Sequence, residues 1–312
     1  MRECFLSAPM PSSFTVLLVF NLLLAPAFGQ RDLFKEAVDN FRRQQYDQAL
    51  SLTEQALQSN SKNPAYLHLY GSILASLGRL DAAEENLRKA VVIAPDQPVY
   101  VYTLGTLLHN ERKYAEAVPV LKRAVELAPE NLTARMMLAR SYVFSFNQLK
   151  LPNFVDLTLE QLNYIARKNP RFPAVHHHLA LVYINTGEFG KAQEELNTEL
   201  RLFPDNAQAR LELGETLLKL NEYHQAADQL EIAVKQAPQM PPIYFALGKA
   251  YKADNQPAKA LEAVRRCVEL DPQFPSCHYL LGQLYRDMNQ PEQSKEQFEL
   301  FKQLKGSGPE KP

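Results

Sequence analysis

Residues 207–274 read AQARLELGETLLKLNEYHQAADQLEIAVKQAPQM and then PPIYFALGKAYKADNQPAKALEAVRRCVELDPQF, two stretches of 34 residues that fall into register. Gly214 stands 34 residues before Gly248, and Pro238 the same distance before Pro272. Working outward, Gly248 to Gly282, Gly71 to Gly105, Pro95 to Pro129 and the series Pro170, Pro204, Pro238 all keep this step. A fixed period of this size marks stacked repeats, each a small unit that cannot bury its apolar face alone. Inside a unit the apolar residues follow helical spacing. Leu67, Tyr70, Gly71 and Leu74 share one face, Ala83, Leu87 and Ala90 share another, and Gly78-Arg79 interrupts the run between them. Each unit therefore reads as two helices joined by a tight turn. The closing proline cannot continue the helix before it and suits the first turn of the next. No segment alternates for long enough to be a strand, so the expected fold is all-α.

The repeat overrides the two-domain expectation that 312 residues would otherwise raise, because stacked units share one continuous core. A composition of 46% hydrophobic and 22% charged residues belongs to a folded chain. The net charge of −1 supplies no field to draw nucleic acid, and no Lys/Arg run does so locally, so nucleic acid is not an expected partner. Acidic and basic residues alternate along the helical stretches, as on solvated faces.

The first residues have a different character. Arg2 precedes an apolar run from Phe14 to Leu24, followed by Ala25-Pro26-Ala27-Phe28-Gly29. The run is too short for the roughly 20 residues that span a bilayer. Ala27 and Gly29 are the small residues a signal peptidase reads, which places cleavage before Gln30. No Cys follows for a lipid anchor. Residues 1–29 are thus expected to be a secretory signal peptide, and the mature chain to be secreted or periplasmic. The alternative is an uncleaved segment that tethers the same fold to a membrane as an envelope assembly factor.

Chemistry has little to build on. There is no phosphate-binding glycine loop, no dinucleotide fingerprint and no His-Glu-x-x-His. His176-His177-His178 is the only histidine cluster, and helical neighbours point about 100° apart, so three in a row do not converge on one metal. Cys277-His278 diverges for the same reason. No catalytic residue, cofactor or metal is expected. An enzyme would need groups from the stretch Phe144–Phe154 and its surroundings, where Asn147, Gln148, Lys150 and Asp156 suggest none.

In these features the chain resembles the tetratricopeptide repeat (TPR) family, over eight units at 30–63, 64–97, 98–131, 132–172, 173–206, 207–240, 241–274 and 275–308. The family takes a small residue at the eighth position of each unit, which here reads Ala37, Gly71, Gly105, Ala139, Ala180, Gly214, Gly248 and Gly282. It takes Ala at the twentieth, as Ala49, Ala83, Ala117, Ala192, Ala226 and Ala260 do. Close helix approach leaves no room there for more than a methyl. The resemblance implies a right-handed superhelical α-solenoid over 30–305, with residues 306–312 as a disordered tail. It also implies a scaffold that binds proteins rather than an enzyme.

The departures from the pattern carry their own expectations. The fourth unit is seven residues longer than its neighbours, with the surplus around Phe144–Phe154 between its helices, and Thr158 and Ile165 replace the usual alanines. Such an insertion is either a binding loop or a harmless lengthening. Glu199 stands where Ala packs, so the contact between the fifth and sixth units is expected to be looser. In the last unit Phe298 and Phe301 either fold over the end of the stack or leave an apolar patch for self-association. Asn131-Leu132-Thr133 matches an N-glycosylation acceptor, a match that chance also produces.

The resemblance places the second, fifth, sixth, ninth and twelfth residues of each first helix on the concave face. The fifth position reads Phe34, His68, Tyr102, Met136, His177, Leu211, Phe245 and Tyr279, a ladder able to receive an extended peptide or a partner helix. Glu212 and Glu215 make the sixth unit acidic, and Lys249, Lys252 and Arg286 make the last two basic. The partner-binding residues expected are Tyr102, Met136, His177, Phe245, Lys249, Lys252, Tyr279 and Arg286. Phe245 and Tyr279 stand where some TPR domains carry a carboxylate-clamping Lys, so that clamp is not expected. His176 is expected to face the core, and His177 and His178 the inner surface. Cys267 falls at a small-residue site that abuts the first helix of the next unit, where Cys277 lies one turn in, close enough for the side chains to approach. The two form either a disulfide or a pair of buried thiols.

Overall fold

The computed structural model describes residues 28–149 and 153–306. Contacts gather into two compact units, one reaching Lys168 and one starting at Asn169. The division falls inside the fourth sequence repeat, at a link containing Pro170 and Pro173. Among the described residues there are sixteen α-helices and no strand, the all-α fold read from the sequence. The first unit comprises α1 (Phe28–Arg42), α2 (Tyr46–Ser59), α3 (Pro64–Ser76), α4 (Leu80–Ile93), α5 (Pro98–Asn110), α6 (Tyr114–Leu127), α7 (Leu132–Leu149) and α8 (Phe154–Lys168). The second comprises α9 (Val175–Thr186), α10 (Phe189–Leu202), α11 (Ala207–Lys219), α12 (Tyr223–Gln236), α13 (Pro241–Ala253), α14 (Pro257–Leu270), α15 (Pro275–Asp287) and α16 (Pro291–Gly306). Each odd-numbered helix packs on the even-numbered one after it. The export segment expected at 1–29 lies outside the described residues except for its last two, and so does the tail beyond Gly306. Among the described residues no helix is long and apolar enough to cross a membrane.

The turns explain why the pairs close. The fifteenth residue of most repeats adopts a left-handed conformation: Gln44, Gly78, Arg112, Gly187, Asn221, Asn255 and Asn289, with φ from 57° to 79°. Gly and Asn tolerate that region best, which is why they dominate the list. Proline begins α3, α5, α13, α14 and α15, where its missing N–H costs nothing. Asn63, Asn131 and Asn206 cap their helices with side-chain oxygens that accept backbone N–H bonds.

The eighth-position glycines mark closest approach. A Cβ on Gly214 would fall 2.5 Å from Leu230, and one on Gly248 would fall 2.3 Å from Val264, each partner lying 16 residues on in the same repeat. The same pairing recurs as Gly71–Leu87, Gly105–Leu121 and Gly282–Phe298. The first unit's cores centre on Leu69, Ile73, Leu87, Leu108 and Leu121, the second's on Leu196, Leu230, Ile243 and Val264.

Three expectations are revised or resolved. The surplus in the fourth repeat does not lie wholly between its helices. It lengthens the first of them, since α7 has 18 residues where α3 and α5 have 13. The turn position there is Phe146, a bulky residue disfavoured in the left-handed region, so the helix runs on to Leu149. Glu199 does not loosen its boundary. It is 2% exposed and accepts a hydrogen bond from Asn206 Nδ2 at 3.1 Å, the same Asn that caps α11. At the end of the second unit, Phe298 lies against Gly282, and both Phe298 and Phe301 contact the Tyr279 ring. The outer side of α16 carries exposed Glu292, Lys295, Glu296, Glu299 and Lys302, while the two rings fold back over the stack.

Candidate functional site

In the second unit, α11, α13 and α15 lie side by side, and the resemblance makes theirs the concave face. Phe245 and Lys249 are one turn apart on α13, with Nζ 5.5 Å from the ring centroid, and Phe245 also meets Phe274 at 5.6 Å. On α15 the Tyr279 ring is 45% exposed. Arg286 is exposed, and its Nε is 3.8 Å from Asp287. Lys252 is already engaged: its Nζ donates to Gln283 Oε1 at 3.2 Å and pairs with Asp287 at 2.9 Å. Lys249 has no carboxylate partner of this kind among the described residues. On α11, Glu215 is held above its ordinary carboxyl pKa. The side chain reaches solvent, yet the protein around it restricts its hydration and Glu212 adds repulsion, while Lys249 and Lys219 oppose the shift without cancelling it. The face thus presents two rings and two available cations, with an acidic border.

Four of the eight expected ladder residues are buried, His68 and Leu211 and, from the expected partner-binding set, His177 and Met136. His177 is 4% exposed and Met136 is 5% exposed. His177 Nε2 donates to Glu212 Oε2 at 2.6 Å, while Gln208 donates to the other Glu212 oxygen at 2.8 Å. The following repeat has covered the position the sequence left open. Burial alone would depress the His177 pKa and is the largest single effect. The hydrogen bond and charge of Glu212, with Glu199 beyond, together overcome it and raise the pKa above the ordinary value. His176 Nδ1 meets Glu195 at 2.6 Å, and His178 stacks on His177 at 5.9 Å. Among the described residues no three His, Cys, Asp or Glu side chains converge to hold a metal. His278 is buried between Gln297 and the Pro272 carbonyl. Cys267 and Cys277 are joined as a disulfide between α14 and α15, fully buried, with Cα atoms 6.3 Å apart.

In the first unit Tyr102 is half-buried on α5. Two histidines bridge successive odd-numbered helices. Thr103 donates its hydroxyl proton to Val99, so it accepts from His68 Nε2 at 2.9 Å. Ser141 donates to Met137, so it accepts from His109 Nδ1 at 2.8 Å. Burial lowers the pKa of His68 to about 3. Burial, with the charge of Arg140, lowers that of His109 to about 4. Both are neutral links.

Sequence reasoning missed Arg140, Gln283 and Asp287, at the ninth, ninth and thirteenth positions of their helices. The ninth position was among those assigned to the inner face, and that was the available signal. It also missed an open cleft of about 840 Å³ between α12, α13 and α14, bordered by Tyr244, Tyr251, Lys259, Arg265 and Arg266. Its polar groups are mostly satisfied internally: Arg266 pairs with Glu269 at 2.9 Å, Arg265 donates to the Tyr285 hydroxyl at 3.0 Å, and Tyr251 donates to Glu231.

Models of the tetratricopeptide repeat match residues 34–98, 100–131, 178–241, 219–284 and 275–306, which takes in both units. The chain belongs to the tetratricopeptide repeat family. A comparison with curated proteins finds no match. Among solved structures, this TPR chain is similar to a tetratricopeptide repeat protein from Parabacteroides merdae, at 14% identity and a TM-score of 0.58, over 83% of this chain and 99% of that one. PilW, a type IV pilus biogenesis factor, is 21% identical with a TM-score of 0.59, over 71% of this chain and 100% of its own. MamA from Desulfovibrio magneticus is 27% identical with a TM-score of 0.49, over 55% and 97%. TPR repeats generally form protein-interaction scaffolds rather than catalytic centres, and that general role is the one the fold supports here.

Proposed function

We propose that this TPR protein is an exported scaffold, secreted or periplasmic, that binds an extended segment of a partner protein across α11, α13 and α15. The observation that carries the reading is the exposed Tyr279 on α15 and, on the neighbouring α13, Phe245 with Lys249 over its ring, apolar surfaces next to cations that have no tight partner. Aromatic rings provide contact area at low entropic cost. Lys249 and Arg286 favour acidic residues, while Glu215 at the other border disfavours them, so a bound segment has a preferred direction. Two features support export: the apolar stretch ending in Ala27-Phe28-Gly29, and a buried disulfide of the kind that oxidising compartments allow.

Site-specific crosslinking in the native host tests the binding face. A benzoylphenylalanine in place of Tyr279 should yield a discrete adduct with a partner protein, and one in place of Ile232, exposed on α12, should not. Equal adducts at both positions, or none at Tyr279, would refute the face. N-terminal sequencing of the purified protein tests export, with Gln30 expected as the first residue.

A further inference from the structure

Among the described residues of the first unit, four Lys or Arg side chains are half-buried: Arg88, Lys113, Arg135 and Arg140. Three of them have acceptors. Arg88 bonds Glu84 and Glu116, Lys113 bonds Glu84 at 2.6 Å and Glu111 at 3.2 Å, and Arg135 donates to Gln161 at 2.6 Å and to the Pro129 carbonyl at 2.8 Å. Arg140, on α7, makes no hydrogen bond and no ion pair with any described residue. The basic side chains of this unit that lack partners are otherwise exposed, where water serves them. Loss of water around Arg140 lowers its pKa, and the only group acting on it in the other direction is the Tyr114 hydroxyl. The neighbouring His109 stays neutral beside it, with its Nδ1 committed to Ser141. Beside them Tyr114 and Phe144 stack with centroids 5.0 Å apart and planes 15° apart, and His109 meets each ring edge-on.

A guanidinium partly stripped of water and given no acceptor is unfavourable unless something else supplies one. We propose that Arg140 anchors a carboxylate side chain of a bound protein segment, with an apolar residue of that segment lying on the Tyr114–Phe144 stack. The surroundings favour a single acidic residue over an acidic run. The other ninth-position side chains of this unit are Val38, Ser72 and Thr106, none of them charged; Ser72 and Thr106 hydrogen-bond their own helix through the His68 and Tyr102 carbonyls. A planar guanidinium takes a carboxylate in two parallel bonds, and the low-polarity wall strengthens both. This site lies in a different unit from the face proposed above and stands or falls separately.

The probe is an array of synthetic 12-residue peptides in pairs, each pair differing only by Glu or Gln at one position among aromatic and aliphatic residues. The full-length protein should prefer the Glu member by about tenfold or more, with the preference shrinking as salt rises. Arg140→Gln should abolish the preference, Arg140→Lys should keep part of it, and Lys249→Gln/Arg286→Gln should leave it intact. Arg140→Gln breaks no hydrogen bond or ion pair with a described residue, so its circular dichroism should match the parent, and the graded Arg140→Lys value keeps the test decisive if it does not. A wild-type protein with no Glu-over-Gln preference, including one that binds no peptide, overturns the proposal. So does a preference that survives in Arg140→Gln.

Discussion

Mild acid should weaken the first unit through two histidines. His68 and His109 are buried as neutral donors, and the second ring nitrogen of His68 is buried without any partner, so a proton added there would meet no acceptor. Their folded pKa values of about 3 and about 4 lie below the ordinary 6.5. The sign follows directly. Between the folded and ordinary values the unfolded chain binds protons that the folded chain does not, so stability is complete above about 6.5 and is lost as the pH falls toward 4. At about pH 5.5, one unit below the ordinary value, each imidazole costs about 1.4 kcal/mol, and the pair about 3 kcal/mol. The chain has no Trp, so Tyr46→Trp in α2 gives a fluorescence reporter confined to this unit. Urea titrations at about pH 7.5 and 5.5 would then compare the reporter protein with His68→Gln/His109→Asn. Gln mimics a donating Nε2 and Asn a donating Nδ1, so both links to Thr103 and Ser141 persist without a titrating ring. The parent should lose about 3 kcal/mol more than the variant on acidification. Equal losses in the two proteins would refute the reasoning.

In the second unit the histidine effect has the opposite sign. The raised pKa of His177 means its contribution is fully present below the ordinary imidazole value and is lost as the pH rises through the folded one. An imidazole NMR titration should place His177 above its ordinary value in the parent and lower it in Glu212→Gln, where only the more distant Glu199 opposes burial. Gly248→Ala should cost about 1–3 kcal/mol by urea denaturation, because its Cβ would fall 2.3 Å from the stiff, buried Val264. Adding Val264→Ala should cost less than the sum of the two changes. Reducing the Cys267–Cys277 bridge, which spans 10 residues, should remove about 3 kcal/mol of chain-entropy stabilisation. Hydrogen exchange should then rise first in α15 and α16. Two alkylatable thiols in the unfolded, unreduced mature chain would contradict the bridge.

What was legible in the sequence is what each repeat settles within itself. The partner of Gly214 is Leu230 and that of Gly248 is Val264, both inside the same 34 residues, so the period alone exposes the helix pair. The proposed face was half legible. Phe245, Lys249, Tyr279 and Arg286 share neighbouring helices as their positions imply, but His177 and Met136 are buried, and Lys252 is taken by Gln283 and Asp287. Those outcomes depend on what the next repeat lays across the site: Glu212 reaches His177 from 35 positions away. The length of α7 was hidden differently. It rests on the lack of a turn former at Phe146, visible only once Gly78, Asn221, Asn255 and Asn289 are seen to share one conformation.

Four buried contacts that cross from one repeat to the next, among the described residues, use different partners: an imidazole on a threonine at His68–Thr103, on a serine at His109–Ser141, on a carboxylate at His177–Glu212, and a disulfide at Cys267–Cys277. Within a repeat, by contrast, the glycine and its bulky partner recur almost unchanged. A copied or exchanged module would therefore fold as well as its neighbours and still be in the wrong place. Swapping 207–240 with 241–274 would set Ala246 near His177 in place of Glu212, and part the two cysteines. The borders give each module an address. The array tolerates substitution of its bricks far better than any change in their order.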